Sequence, residues 1–288
     1  MSRLAAMPKH PRMKLVMTLL VRDAEGLLRQ NLDFHLRQGV DVFVITDNRS
    51  TDGTAAIIED YVRAGKAEYI FEAGDDFSQA RWVTRMARRA FEIGAHWVIN
   101  SDDDEFWLGN RGSLREELER IPPERQALRA PRHNHPPVLG LEPENFLQAM
   151  VYRERCSTNL FGLPLLGKVC HRAWPDVEVG QGNHVVTRGG RPVETTPAET
   201  ISISHYPTRD YPSLERKVVN GGVALARNNE LEPEMGLAWR RLYDVWREGR
   251  LKDWYEGEVL APSELEERMA DGRLFLDDRV LRTLAPQA

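Results

Sequence analysis

Residues 97–107 read WVINSDDDEFW, an uncharged apolar stretch that stops at four consecutive acids and resumes with two aromatics. A strand of this composition suits a sheet buried on both faces, and it must end where the charge begins, because an unpaired buried carboxylate is very costly. Four adjacent carboxylates also repel one another. A divalent cation relieves that repulsion, and hard oxygen ligands suit Mg2+ or Mn2+. A solvated acidic loop is the alternative for any acid run, but the end of a buried strand is where sites form. In an extended segment side chains alternate in direction, so Asp102 and Asp104 are expected to face one ion while Asp103 points elsewhere. Glu105 fits two roles equally: orienting a metal-bound water or a ligand hydroxyl, or capping the next turn.

The preceding residues supply the rest of the sheet. Leu15–Val21 is a continuous apolar strand, Val42–Thr46 a second, Glu68–Phe71 a third and His96–Ser101 a fourth. Between them lie helical patterns. One starts at Asp23, with Leu28, Leu32 and Leu36 inward, and stops at Gly39; another runs from Thr54 to Ala64 before Gly65; a third is expected to be capped by Ser78 and ended by Gly94. Strands alternating with helices imply right-handed crossovers and a doubly wound, mostly parallel α/β sheet flanked by helices. Ligands gather at the C-terminal strand ends of such sheets. Three polar clusters fall there: Arg22-Asp23, Asp47 to Ser50 and Asp102 to Glu105.

After Pro122 the pattern loosens into Pro-rich loops with short strands expected at 150–153, 167–172, 184–187 and 200–204. Beyond Pro212 it is helical again, with Trp239, Tyr243, Trp246, Trp254 and Tyr255 spaced along helix faces. The expected organisation is a disordered leader (1–13), a main domain (14–211, divided into a sheet-forming half, 14–121, and a looser half, 122–211) and a helical extension (212–288). Those aromatics suit core packing, homodimerisation or contact with a membrane surface.

Composition narrows the function classes. With 39 basic and 44 acidic residues, a formal charge of -5, the chain lacks the basic balance of a general nucleic-acid binder. Two cysteines, Cys156 and Cys170, are too few for a disulfide framework and are expected to be free thiols in a reducing compartment. The apolar run at 14–21 is cut short by Arg22-Asp23, so no membrane span or secretion signal is expected and the protein is expected to be cytoplasmic, with peripheral membrane contact as a variant.

The stretches VRDAEGLL, ITDNRSTDGT, ARWVTRMARRA, WVINSDDDEFW, GKVCHRA, GNHVV and ISISHYPTRDYPSLERKVVNGG together resemble the glycosyltransferase family 2 superfamily, in the branch whose Asp-x-Asp motif continues as Glu-Phe. The resemblance spans roughly residues 14 to 222. It implies a GT-A fold, a nucleotide-diphosphate-sugar donor (a UDP-sugar is the expected one), a divalent metal bridging the diphosphate, a hydroxyl acceptor and inversion at the anomeric carbon. By the same resemblance Asp47 would accept a hydrogen bond from the nucleobase beside Asn48, and His205 would complete the metal shell with Asp102 and Asp104. Asp103, Arg81, Lys168 and Lys217 are candidate donor contacts. Asp23 stands where this branch usually carries Asn.

For the acceptor's proton, Asp176, Glu178 and His184 are the candidate bases; His184 suits metal or phosphate binding equally. Lys168, His171 and Arg172 are expected to alternate outward along their strand, suiting either phosphates or an ordinary surface. His133 and His135 resemble a zinc spacing only superficially, since no further ligands accompany them. Two other functions compete. A nucleotidyltransferase would carry a Gly-rich loop where this chain has VRDAEG, and an inactive sugar-nucleotide binder would show an eroded acidic motif.

Overall fold

A computed structural model describes residues 12–76, 78–140, 145–228 and 235–286; the expected leader lies outside them except for residues 12 and 13. The first half runs β1 (Leu15–Val21), α1 (Glu25–Arg37), β2 (Val42–Asp47), α2 (Thr54–Arg63), β3 (Ala67–Phe71), α3 (Gln79–Glu92), β4 (Trp97–Ser101) and β5 (Glu105–Gly109). Then come α4 (Leu114–Glu119), β6 (Ala127–Ala130), β7 (Arg132–Asn134), α5 (Phe146–Ala149), β8 (Tyr152–Glu154), β9 (Lys168–Arg172), β10 (Val177–Val179), β11 (Val186–Arg188), β12 (Arg191–Pro192), β13 (Thr196–Pro197) and β14 (Ile201–His205). The chain closes with α6 (Tyr211–Arg227), α7 (Leu237–Arg247), α8 (Leu251–Glu258), α9 (Pro262–Ala270), β15 (Leu274–Leu276) and α10 (Arg279–Leu284).

The main sheet has the order β13-β6-β9-β4-β1-β2-β3, and only β9 runs against its neighbours. This is the mixed α/β, mostly parallel architecture expected. Period-two alternation decides how it is covered. Leu15, Met17, Leu19 and Val21 meet Leu28 and Leu32 of α1 and Ile57 and Ile58 of α2 on one face, while Val16 meets Val83, Met86 and Ala90 of α3 on the other. The strand order reverses between β1 and β4, so the crevice at their carboxyl ends is the switch point where such sheets bind ligands.

Several local expectations needed correction. Ser78 does not cap α3 with its side chain; its hydroxyl donates to Asp76 instead, at 2.8 Å. His184 precedes its strand, in a turn after the 3-10 segment Gln181–Asn183, and β11 begins only at Val186. The basic residues of β9 do not alternate outward, because β9 lies inside the sheet. Lys168 and His171 are fully buried, His171 stacks on Trp174, and Arg172 covers the ring of Trp97.

A second sheet, β5-β14-β7, grows directly out of the acidic segment. Its register sets His205 opposite Glu105 on one side and Asn134 on the other. Beyond it, α6 starts on Asp210, whose carboxylate accepts the Ser213 amide at 2.8 Å. α7 packs on α6 at Gly222, where a Cβ would overlap the Tyr243 ring. Trp239, Tyr243, Trp246, Trp254 and Tyr255 gather around Leu214, Val218, Leu242, Val245 and Leu251. β15 pairs with β8 and tethers the helical extension to the 122–211 segment. No helix among the described residues is long and apolar enough to cross a membrane.

Candidate active site

The four acids do not lie on an extended segment. Residues 102–105 form a turn, with the Glu105 amide 3.3 Å from the Asp102 carbonyl, and the strand resumes at Glu105. The expected alternation is therefore replaced by a fan, and each carboxylate meets a different partner. Asp102 accepts from Lys168 Nζ at 2.5 Å and from Asn183 Nδ2 at 3.2 Å. Asp104 pairs with Lys217 of α6, and its other oxygen lies 3.7 Å from His205 Nε2. Asp103 is 3.9 Å from Lys217. Glu105, with no exposed surface, pairs with Lys168 at 3.3 Å and Arg132 at 3.2 Å.

Helix α1 fixes this turn from below. Asn31 Nδ2 donates to the carbonyls of Asp103 and Glu105, both at 2.9 Å, and His35 Nε2 accepts the Trp107 amide at 3.0 Å. Because Nε2 accepts, the proton sits on Nδ1, which donates to the Asn31 carbonyl at 2.8 Å. Burial holds His35 neutral, down at about 3.

Electrostatics separate the four acids. Burial pushes Asp103 up to about 6 and Glu105 up to about 7, despite their cationic neighbours. Asp104 lies below the ordinary carboxylate range: burial opposes ionisation, but the Lys217 ammonium outweighs it. Lys168 likewise draws Asp102 down against burial. Burial lowers His205 to about 3, so its imidazole is neutral. His205 Nδ1 pairs with Asn134 Oδ1 at 2.8 Å, and the Asn134 backbone amide is held by the Ser157 hydroxyl at 2.8 Å. The lone pair on His205 Nε2 therefore faces an Asp104 carboxylate oxygen: two acceptors across 3.7 Å.

Of the expected metal trio, the fold brings Asp104 and His205 together and turns Asp102 toward Lys168. Among the described residues no three His, Cys, Asp or Glu side chains converge as a ready metal cage. The donor set nonetheless suits a hard cation that takes one or two carboxylates and fills its remaining positions with water and phosphate oxygens.

The other expected residues divide between this crevice and the surface. Asp23, with φ +52°, accepts from Thr51 N at 2.7 Å and from Asn220 of α6 at 2.8 Å. Both Asp47 oxygens are occupied, by the Ser50 amide at 2.9 Å and the Tyr69 hydroxyl at 3.0 Å. Asn48 holds the Glu72 carbonyl at 3.2 Å. Arg81 is exposed and makes no ion pair among the described residues, whereas Arg85, Arg88 and Arg89 pair with Glu72, Glu178 and Glu68. Asp176 and Glu178 are not brought to the crevice. They sit half-exposed on the β10–β11 hairpin, paired with Arg188 and with Arg88 and Thr187, because Val177 and Val179 take the buried face. His184 alone of the candidate bases stays close, its Nδ1 donating to the Gly167 carbonyl at 2.9 Å, and burial, with Lys168 acting in the same direction, lowers its imidazole to about 4. Asn31, Arg132, Asn134 and Asn183 were not singled out in the sequence. Their roles depend on tertiary direction and leave no local signal.

Fold and site together define a mixed α/β protein with a buried acid turn at the switch point of a mostly parallel sheet. No family model and no curated protein matches the chain. Among solved structures it is similar to S. aureus TarS 1–349 in complex with UDP, at 15% identity and a TM-score of 0.44 over 76% of this chain and 67% of that one. It is also similar to S. aureus TarS 1–349 in complex with UDP-GlcNAc, at 13% identity and a TM-score of 0.45 over 91% and 93%, and to the same protein without a named ligand, at 13% and 0.44 over 93% and 97%. Likeness at this level assigns neither ligand nor activity, and the functional reading below rests on the chain's own residues.

Proposed function

We propose that the protein is a metal-dependent glycosyltransferase that moves a sugar from a nucleotide-diphosphate sugar, a UDP-sugar first among them, to a hydroxyl acceptor, with inversion by direct displacement. One observation carries the reading: His205 Nε2 stands 3.7 Å from one Asp104 oxygen, with His205 Nδ1 committed to Asn134 and Lys217 on the other Asp104 oxygen, at the carboxyl edge of β1 and β4. Asp104 and His205 are the residues for Mg2+ or Mn2+, with Asp102 joining them on release from Lys168. The cation would supply charge to a departing diphosphate. Lys168 and Lys217, freed from their carboxylates, would meet phosphate oxygens, and Arg81, exposed in the first turn of α3 and without an ion pair among the described residues, is the further candidate. Asn31 and His35 keep the turn in place.

In the displacement the acceptor oxygen bonds to the anomeric carbon as the bond to the diphosphate breaks, and the electron pair leaves with the diphosphate. The acceptor's proton goes to His184, whose Nδ1–H is committed to Gly167 and whose Nε2 is the accepting atom. Incubation with a panel of uridine, guanosine and thymidine diphosphate sugars plus Mn2+ tests the reading. Donor hydrolysis or transfer is expected. Binding with neither hydrolysis nor transfer would replace the enzyme by a sugar-nucleotide binder.

A further inference from the structure

The loop between β8 and β9 is uncharged from residue 157 to 167 (STNLFGLPLLG). It exposes Leu160, Phe161, Leu163 and Leu166, the last three by 51%, 60% and 62% of their surface. Clustered exposure of this kind marks an interaction surface. None of these residues lines either the 480 Å³ or the 300 Å³ cavity, so the exposed side chains stand outside both concave sites.

The backbone of the loop identifies the partner. The amides of Asn159, Gly162 and Leu165 donate to Leu163, Asn159 and Ser157 carbonyls at 2.8–2.9 Å. Those of Phe161 and Leu163 both donate to the Asn159 side-chain oxygen, at 2.9 and 3.1 Å. Pro164 has no amide to satisfy, and Gly162 takes the left-handed turn at φ +71°. Five amides of the loop are thus satisfied within it, which lowers the cost of taking its backbone out of water. A protein partner would call for polar rim contacts, and this tip presents only Leu, Phe, Pro and Gly side chains outward. One exposed guanidinium stands at the base, that of Arg155 on the entering strand side. A cation in this position meets anionic head groups while the apolar tip goes deeper.

We propose that residues 158–166 insert into the head-group region of an anionic lipid bilayer and hold the acid turn against the membrane surface. The loop runs straight into Gly167 and Lys168, Arg132 joins it to Glu105 at 3.2 Å, and exposed Val185 follows His184 on the same rim. That the acceptor is carried by the membrane rests on the glycosyl-transfer reading; the insertion itself does not.

Co-sedimentation of the full chain with phosphatidylcholine vesicles, with and without an equal part of phosphatidylglycerol, tests this. Wild type is expected to pellet with the mixed vesicles, and Phe161→Asp with Leu163→Asp to lower binding by about tenfold or more. The milder Leu163→Ser, expected to lower it severalfold, keeps the test decisive if the double variant misfolds. Wild type left in the supernatant, or variants pelleting equally, overturns the proposal. So does a dimer in sedimentation velocity that the same substitutions dissolve, because a second copy would then cover the loop. Donor hydrolysis in solution is expected to be equal in wild type and variants; its absence from both would sink glycosyl transfer and leave the lipid result standing.

Discussion

Lys217 of α6 places its ammonium against the carboxylate of Asp104, so a helix remote in sequence supplies the counter-ion for the acid turn after β4. A cation and a donor phosphate binding there would exchange partners with this pair: Asp104 to the cation, Lys217 to the phosphate. Lys217→Met is therefore expected to lower kcat/KM for donor by about 10- to 100-fold, the cost of one charge-assisted contact, while steady-state kinetics with saturating Mn2+ still show turnover. An unchanged kcat/KM would exclude Lys217 from the donor site.

Lys168 has the opposite balance, since it is almost wholly buried and serves both Asp102 and Glu105. Removing it leaves Glu105, which has no exposed surface, with Arg132 as its remaining counter-ion. Lys168→Met should cost about 3 kcal/mol of folding stability, as for a broken buried pair. Urea denaturation checks this, and a loss below about 1 kcal/mol would contradict it.

Asn31 spends both amide hydrogens on the acid turn's carbonyls. Asn31→Ala should cost about 2 kcal/mol by leaving two acceptors unpaired. It should also weaken donor binding measured calorimetrically, since the turn loses its floor. Stability loss with donor affinity intact would show Asn31 to be structural only.

Buried histidines set an acid limit. Burial lowers His35 to about 3 and His135 and His171 to about 4, against about 6.5 in an unfolded chain. Between those values the unfolded state binds protons that the native state refuses. Their stability contribution is full above about pH 6.5 and falls as pH drops toward 4, with a slope on the order of 1 kcal/mol per unit for each histidine. Urea midpoints at a series of pH values read the slope. His171→Phe, which keeps a ring against Trp174, should flatten it by one histidine's share.

Where periodicity decides structure, the sequence was readable. The continuous apolar run of β1 and the helical spacing in α1, α2 and α3 led directly to the parallel sheet and its two covered faces. The acid cluster was readable because charge stops a buried strand. Its geometry was not: a turn at 102–105 replaced the expected alternation, a distinction set by pairing of β5 with β14, a partner about 100 residues away. For the same reason Lys168 looked like surface alternation until β9 proved to lie between β4 and β6. Asp176 and Glu178 were chosen by residue type, and only the burial of Val177 and Val179 shows that they face solvent.

Calorimetric titration of a UDP-sugar with and without Mn2+, in wild type and Asp104→Asn, tests the central claim most directly. Metal-dependent binding in wild type and its loss in a folded Asp104→Asn protein is the predicted result. Equal donor affinity in the two proteins, with Mn2+ making no difference to either, would contradict it.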